Sequence, residues 1–257
     1  MPRSPYPTAR LASVLVLLYE KEGQIRVLLT TRSKGLRSHP GQTALPGGKH
    51  DASDVDSIDT AFREANEEVG LPRNLPSIHV LCVLRPFLSQ YGLIVAPVVG
   101  LLTDLAVLDT LTPCEGEVDA IFEHPLEAIL DPSLTTGMAL AEKGSEGWPY
   151  EEELYNMCDQ QWPNGMTYRM HRFRSAASPI KGLTADILLL FFFVSPQTMV
   201  AEIAFDRGPV YERWAPGQIN TFSGIAQILS EQEVVSRRIS GTLSESSHAS
   251  RGHLPAA

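Results

Sequence analysis

The sequence predicts an α/β protein of the α+β type, in which a mixed β-sheet is sandwiched between α-helices. Apolar, β-branched runs typical of strands occur on both sides of a segment whose apolar residues recur with the period of a helix. The chain has 257 residues, of which 43% are hydrophobic, and this is enough to bury the core that such a sheet requires.

The first two predicted strands form a hairpin. Apolar runs cover 11–19 and 25–31, and the intervening sequence EKEGQ contains a glycine suited to a tight turn. The next segment, 33–48, is dense in glycine and proline and has little periodicity. We therefore expect a structured loop there rather than a helix or strand.

A helix is predicted over 56–69. Its apolar residues lie three or four positions apart and form one stripe: Ile58, Ala61, Phe62, Ala65 and Val69. Gly70, directly after the stripe, and Pro72 are typical helix stop signals. This helix should therefore pack one face against the sheet.

The next elements are predicted to be strands and a short helix. Strands are expected over 79–84 and 93–102. The sequence 115–130 predicts a strand followed by a short helix that Pro125 opens. The polar, acidic segment 142–163 interrupts this pattern, and we interpret it as an insertion.

The last predicted elements are a strand over 166–173 and a helix over 185–193. Thr184 is the expected N-cap of that helix, although the apolar run alone does not distinguish a buried helix from a buried strand. The composition after 230 is mostly Ser, Glu, Arg and Gly. The predicted organisation is an N-terminal extension over 1–10, one domain over 11–229, and a disordered tail over 230–257.

Composition and charge exclude several classes of protein. A formal net charge of −9 argues against a nucleic-acid coat or a polybasic membrane surface, which need a concentrated positive field. Cys82, Cys114 and Cys158 are an odd number without zinc-type spacing, which fits a reducing, intracellular compartment rather than a disulfide framework. The apolar runs 11–19 and 187–194 are shorter than the ~20 residues that cross a bilayer.

The predicted helix 56–69 carries the main candidate site. Glu64, Glu67 and Glu68 share one face, and Glu64 repels Glu68 one turn away, with Arg63 the only nearby cation. Such a cluster is typical of a site for Mg²⁺ or Mn²⁺, which prefer carboxylate oxygens. Glutamates on a helix are also often merely solvated. The loop sequence LPGGK favours the metal site, because its glycines let the backbone approach a ligand closely.

These residues resemble the Nudix box. The sequence REANEEVGL, from Arg63 onward, matches the family pattern of Arg, Glu, an apolar residue, a variable residue, two Glu, a variable residue, Gly and an apolar residue. One position departs from it: the family has a Glu eight residues before the Arg, where this chain has Val55, and the nearest acid is Asp54. The resemblance implies the Nudix fold and hydrolysis of nucleoside diphosphate derivatives.

The upstream loop resembles the signature of the coenzyme A diphosphatase branch of that family. LLTTRSKGLRSHPGQTALPGG departs from this signature only in Leu45, where the branch has Phe, and an extra residue in the box is common there. TYRMHRF and PIKGLTADIL are similar to the fungal, peroxisomal-type members. The resemblance implies cleavage of the diphosphate bond of coenzyme A, or of its acyl or oxidised forms, to 3′,5′-ADP and 4′-phosphopantetheine.

The resemblance also implies roles for individual residues. Glu64 and Glu68 would be the principal ligands of Mg²⁺ or Mn²⁺, with the Gly48 carbonyl as a backbone ligand. Glu67 would be a further ligand or the base that orients water. Arg63 would orient the glutamates by hydrogen bonding.

Further candidates lie outside the box. Glu117 is an alternative metal ligand or base, and it could equally be an ordinary loop glutamate. Arg32, Arg37 and Lys49 are candidates for binding the 3′-phosphate of coenzyme A, or could be plain surface charges. The motif histidines, His39 and His171, are more typical of structural side chains and are left out of the site.

Two other functions remain open on the sequence. One is a broader nucleoside-diphosphate hydrolase acting on ADP-ribose, dinucleotides or oxidised nucleoside triphosphates. The other is a Nudix module that senses a nucleotide without cleaving it. In each case the partner is a small molecule, with no nucleic acid or membrane. The expected location is peroxisomal or cytoplasmic, and the C-terminal LPAA is not a recognisable peroxisomal signal.

Overall fold

The computed structural model describes residues 10–89, 91–161, 167–191 and 211. Eleven strands are described: β1 (Leu11–Lys21), β2 (Gln24–Arg32), β3 (Thr43–Ala44), β4 (Gly47–Lys49), β5 (Ile78–Val83), β6 (Phe87–Leu88), β7 (Ile94–Leu102), β8 (Val118–Pro125), β9 (Tyr155–Gln161), β10 (Thr167–Phe173) and β11 (Ile180–Lys181). The α-helices are α1 (Ser57–Val69) and α2 (Gly182–Phe191), and short 3-10 helices cover Leu105–Thr110, Leu126–Ile129 and Pro132–Thr135.

The main sheet is mixed, as the sequence predicts. Its central order is β3-β2-β1-β7-β5, and β4, β6 and β8 pair with β1, β7 and β2, respectively. Strands β1 and β7 run parallel, whereas the other pairs are antiparallel. The predicted β1–β2 hairpin is confirmed, and its turn residues, Glu22 and Gly23, both have positive φ angles, of 56° and 76°.

Both faces of the sheet are covered. Helix α1 packs on one face, where its Ala61, Ala65 and Val69 meet the alternate side chains of β1 and the residues around Val107. The other face is covered by α2 and by a second, three-stranded sheet of order β11-β10-β9. The side chains of successive strand residues point to opposite faces, so β1 contributes Leu15 and Leu17 to one core and Val16 and Leu18 to the other.

The predicted helix 56–69 is confirmed as α1, and local signals define both of its ends. The Asp56 carboxylate caps the N-terminus by accepting hydrogen bonds from the amides of Ile58 and Asp59. Gly70 ends the helix in the left-handed conformation, with φ 71°, and its amide donates to the Asn66 carbonyl. The phase of the helix, and hence the position of each glutamate, is thereby fixed.

Two expectations need correction. The segment 33–48 is not only loop, because β3 and the start of β4 lie within it and pair with β2 and β1. Thr184 does not cap α2: it lies inside the helix, and its hydroxyl donates to the Thr43 carbonyl. The segment 142–163, interpreted from the sequence as an insertion, contains β9, which is an edge strand of the second sheet.

Several predictions fall on residues outside the described part of the chain. These are the extension before Arg10, the end of the predicted second helix at 192–193, and the tail over 230–257. In the described part of the chain, no helix combines the length and apolar character that a membrane crossing needs.

Candidate metal and diphosphate site

Asp54 and Arg63 form the rigid base of the site. The Asp54 side chain is 1% exposed, and both of its oxygens accept hydrogen bonds from Arg63, at 2.8 Å from Nε and 2.9 Å from Nη2. The Asp51 amide and the Thr60 hydroxyl also donate to it. These donors, Arg63 first, hold the pKa of Asp54 well below its usual range. The pair is therefore ionised and fixed in one geometry.

Arg63 distributes its remaining hydrogen bonds over the candidate site. Its Nη1 donates to Glu64 Oε1 and to Glu67 Oε2, each at 3.0 Å, and its Nη2 donates to the Lys49 carbonyl at 2.9 Å. One guanidinium thus joins α1 to β4. The structure gives Arg63 the orienting contacts that the sequence resemblance implies.

Glu68 is buried, unlike a glutamate that is merely solvated on a helix face. It is 7% exposed, and its Oε2 accepts a hydrogen bond from the Gly47 amide at 3.0 Å. Arg32 Nη1 lies 3.7 Å from Glu68 Oε1. Burial raises the pKa of Glu68 to about 7, against the opposing effects of the Gly47 amide and Arg32. The carboxylate therefore lacks full charge compensation.

Glu64 is pressed against the glycine pair, Gly47 and Gly48, at the start of β4. A Cβ added to Gly48 would lie only 2.5 Å from the carboxylate carbon and from both carboxylate oxygens of Glu64. Burial also raises the pKa of Glu64, despite its bond to Arg63. Gly48 consequently allows a carboxylate to lie directly beside the backbone of β4, as a site combining carboxylate and carbonyl oxygens requires.

Glu117 lies near this cluster, on the loop that precedes β8. The Cys114 amide donates to the Glu68 carbonyl at 2.9 Å, and the Glu117 amide donates to the Cys114 carbonyl at 3.1 Å. The Glu117 side chain is exposed, and its charge contributes to the raised pKa of Glu68. The loop thus brings a fourth carboxylate toward the site from a distant part of the sequence.

The other candidates are spread around the site. Arg32 is half-buried beside Glu68, whereas the Arg37 and Lys49 side chains are exposed. His39 lies 3.1 Å from Gln42 in the loop after β2. His171 is buried in the second sheet, where its Nδ1 is 2.9 Å from the Tyr155 hydroxyl.

The donor set fits a hard divalent cation that is shared with a substrate. Within the described ranges, no three His, Cys, Asp or Glu side chains converge into a metal-binding group. Two desolvated carboxylates one helical turn apart, together with the Gly48 backbone, nevertheless match Mg²⁺, which is commonly held by one or two carboxylates plus phosphate oxygens. The assignment of Glu64, Glu67, Glu68 and Gly48 as ligands remains a prediction.

Comparison with known proteins agrees with this arrangement. The family model described as NUDIX domain matches residues 9–141, just over half of the chain. The chain belongs to the Nudix family. The Nudix resemblance and the predicted fold are therefore confirmed, and the matched region contains α1, the glycine pair of β4 and Glu117. Nudix hydrolases act on phosphoric anhydrides and generally use divalent metal ions.

Individual Nudix relatives extend the comparison. Nudix hydrolase 15, mitochondrial, from Arabidopsis thaliana is 34% identical over 210 residues, which cover 80% of this chain and 62% of that protein. Nudix hydrolase 22, chloroplastic, from the same plant is 46% identical over 120 residues, covering 46% and 39%. The peroxisomal coenzyme A diphosphatase NUDT7 of Mus musculus is 35% identical over 134 residues, covering 52% and 55%. The chain thus spans less than two thirds of each relative, and their names place them in three compartments.

The sequence alone gives Asp54 no role. It is only the acid nearest to the position where the Nudix pattern has Glu and this chain has Val55. Val55 is 86% exposed, whereas Asp54 is buried and holds Arg63. The usable signal is Asp51, three residues before Asp54: its carboxylate forms an Asx-turn with the Ser53 amide, and its own amide donates to Asp54.

Proposed function

We propose that the protein hydrolyses the diphosphate bond of coenzyme A, including acyl or oxidised forms, to 3′,5′-ADP and 4′-phosphopantetheine in the presence of Mg²⁺ or Mn²⁺. The observation that carries the reaction class is the pair of desolvated glutamates, Glu64 and Glu68, held against the glycine pair at the start of β4. The choice of coenzyme A is supported by the signature loop over 28–48 and by the similarity to the mouse coenzyme A diphosphatase.

Each residue of the site has a separate proposed role. Glu64, Glu68 and the Gly48 carbonyl would hold the cation, with Glu67 as a further ligand. A bound divalent ion would neutralise the diphosphate oxygens and lower the pKa of the attacking water. Arg63 keeps the Glu64 and Glu67 carboxylates in one orientation while it remains locked to Asp54.

Two carboxylates are candidates for the base that accepts the proton of the attacking water. Glu67 is exposed but already bound to Arg63, whereas Glu117 is exposed on the loop beside Glu68. Turnover of the Glu67→Gln and Glu117→Gln variants across the pH range would separate the two roles. Loss of the base should abolish the fall in turnover at acidic pH. Loss of a metal ligand should instead raise the metal concentration that turnover requires.

The 3′-phosphate of coenzyme A needs positive partners. Arg32 is engaged with Glu68, so the exposed Arg37 and Lys49 are more available to a substrate phosphate. We expect Arg37→Ala to weaken turnover of coenzyme A more than that of dephospho-coenzyme A. Equal losses on the two substrates would show that Arg37 does not read this phosphate.

Product analysis tests the whole proposal. The purified protein is incubated with coenzyme A and Mg²⁺ or Mn²⁺, with a chelator control, and the products are identified by mass spectrometry. Metal-dependent formation of 3′,5′-ADP and phosphopantetheine is the expected result. Intact coenzyme A would overturn the proposal and turn attention to ADP-ribose, dinucleotides and oxidised nucleotides. Failure of those substrates also would favour a non-catalytic sensing module.

A further inference from the structure

His50 connects the end of β4 to helix α1. Its backbone amide donates to the Leu11 carbonyl at 3.0 Å, which holds the residue on strand β1. Its side chain reaches α1, where Nδ1 lies 3.1 Å from the hydroxyl oxygen of Thr60. The His50 side chain is 17% exposed, and Thr60 is completely buried. Neither residue belongs to the site that the sequence predicts.

The other contacts of the Thr60 hydroxyl decide the direction of this hydrogen bond. The hydroxyl has one hydrogen, and its oxygen lies 2.9 Å from Asp54 Oδ2 and 3.1 Å from the Asp56 carbonyl oxygen. Because an ionised carboxylate is the stronger acceptor, the hydroxyl donates to Asp54. Its oxygen is then free to accept, so the ring of His50 carries its hydrogen on Nδ1 and donates it to Thr60. Nδ1 is 3.7 Å from Asp54 Oδ2, which is too far for a direct hydrogen bond.

This contact begins a chain of hydrogen bonds that ends at a candidate metal ligand. The chain passes from His50 through Thr60 to Asp54. Both Asp54 oxygens accept hydrogen bonds from Arg63, and Arg63 in turn donates to Glu64. Residues that hold the partners of a metal ligand restrict the orientation of that ligand. His50 therefore influences the glutamate cluster without contacting it.

Three consecutive residues at the end of β4 contact α1. A Cβ added to Gly48 would lie 2.5 Å from the Glu64 carboxylate, and the Lys49 carbonyl accepts a hydrogen bond from the guanidinium on α1 at 2.9 Å. The ring of His50 adds a contact to Thr60, which precedes Glu64 by four residues and hence by about one helical turn. The strand is thus attached to two successive turns of the helix. A helix held at two turns cannot easily rotate or slide against the strand.

We propose that His50 is a positioning residue of the candidate metal site and that it acts through Thr60. It holds the first turns of α1 against the end of β4, which keeps the Glu64 carboxylate beside the Gly48 backbone, where one cation can bind both. The inference rests on the proposed function in one respect, since it requires that the glutamate cluster binds a divalent cation. It does not depend on which diphosphate is the substrate.

Binding of Mn²⁺ alone tests the inference, because it requires neither substrate nor turnover. The full-length protein is titrated with Mn²⁺ in the absence of nucleotide, and electron paramagnetic resonance of the free ion gives the dissociation constant. We expect His50→Leu and Thr60→Val each to raise this constant by about threefold or more. This is less than the ~10–100-fold typical of a direct partner of a metal ligand, because further hydrogen bonds intervene.

Conservative variants and a remote threonine separate hydrogen bonding from general stability. His50→Asn keeps an N–H donor close to the position of Nδ1, and Thr60→Ser keeps the hydroxyl, so both should bind Mn²⁺ like the wild type. Thr135→Val is the matched control for Thr60→Val, because Thr135 is also buried and its hydroxyl donates to the Pro132 carbonyl at 2.8 Å, away from the site. It should lower the free energy of unfolding in urea but leave the affinity for Mn²⁺ unchanged.

The outcomes distinguish this inference from the proposed function. Wild-type affinity for Mn²⁺ in His50→Leu would overturn the role of His50 and leave the proposed function standing. An equal loss of affinity in Thr135→Val and Thr60→Val would also overturn it, because general destabilisation would then explain the effect. A wild-type protein that binds no Mn²⁺ would overturn the metal site and this inference together. Failure to hydrolyse coenzyme A, with Mn²⁺ binding weakened as expected in the variants, would overturn only the proposed substrate.

Discussion

Asp54 and Arg63 are joined by two parallel hydrogen bonds, of 2.8 and 2.9 Å, at the centre of the glutamate cluster. The other donors of this guanidinium reach Glu64, Glu67 and the Lys49 carbonyl. Asp54 therefore holds the arginine that bonds to the candidate metal ligands Glu64 and Glu67. A buried acid one residue away from its expected place in the Nudix pattern performs this task.

Asp54→Asn is expected to destabilise the fold by about 3 kcal/mol, because it leaves a largely buried guanidinium without its carboxylate. The new amide group would also point a donor at Arg63. Turnover should fall as well, since Glu64 and Glu67 lose their common support. Urea unfolding and steady-state kinetics measure the two effects.

Asp51→Asn is the control for Asp54→Asn, because Asp51 is an exposed acid of the same loop that bonds to Ser53 and not to Arg63. We expect it to change stability by less than about 1 kcal/mol. Equal effects of the two substitutions would show that the Arg63 pairing is not what makes Asp54 important.

Gly48→Ala is expected to separate folding from activity. The φ angle of Gly48 permits alanine, but the added Cβ would lie 2.5 Å from the Glu64 carboxylate. The carboxylate is the free end of a side chain and can move away, so we expect a stability cost below about 1 kcal/mol. Turnover should nevertheless fall by about tenfold or more, because a ligand displaced by 1 Å no longer fits the reacting geometry.

Gly35→Ala is the matched control for Gly48→Ala, since a Cβ at Gly35 would meet only the Ser33 hydroxyl, 3.9 Å away. Its activity should equal that of the wild type. Full activity in Gly48→Ala, with a normal requirement for metal, would contradict the placement of Glu64 against the glycine pair of β4.

The part of the site that the sequence predicted is the part built from one contiguous segment. Arg63, Glu64, Glu67 and Glu68 lie on one helix whose start at Asp56 and end at Gly70 are set by local signals. Helical periodicity therefore gives their relative positions directly. The two apolar runs on either side of the glycine-containing sequence EKEGQ likewise predicted the β1–β2 hairpin.

The features that the sequence could not predict depend on contacts between distant segments. Glu68 is buried because three distant parts of the chain pack around it: Gly47 in β4, Arg32 in β2 and the loop before β8. The sequence did not predict strand β9, because most of its residues are polar and none is fully buried; pairing with β10 defines it. No local pattern reports such packing.

His124 is expected to make the fold sensitive to acid. It is completely buried on β8, and neither ring nitrogen has a hydrogen-bond partner among the residues that the structure describes. Burial together with the charge of Arg26 lowers its pKa from 6.5 to about 4. The unfolded chain then binds a proton below pH 6.5 that the folded protein does not bind until about pH 4. The contribution is therefore fully present above pH 6.5 and is lost as the pH falls toward 4.

The size of this loss is about 3 kcal/mol, from 1.36 kcal/mol per pKa unit. Urea unfolding at a series of pH values measures it. His124→Leu should flatten the dependence between pH 6.5 and 4. His79→Gln, a change at an exposed histidine, should leave the slope intact. A slope that persists unchanged in His124→Leu would show that other groups cause it.

Glu68→Gln is expected to abolish most of the activity while preserving the fold. The glutamine oxygen can still accept the Gly47 amide, and removal of a poorly compensated buried charge should leave the free energy of unfolding equal or higher. If Glu68 is a direct ligand, turnover should fall by at least about 100-fold, since loss of outer-sphere partners alone costs ~10–100-fold. Glu115→Gln, on the exposed loop before β8, provides the control. Kinetics over a range of Mg²⁺ concentrations and a urea titration measure both quantities, and normal turnover at matched metal concentration would remove Glu68 from the site.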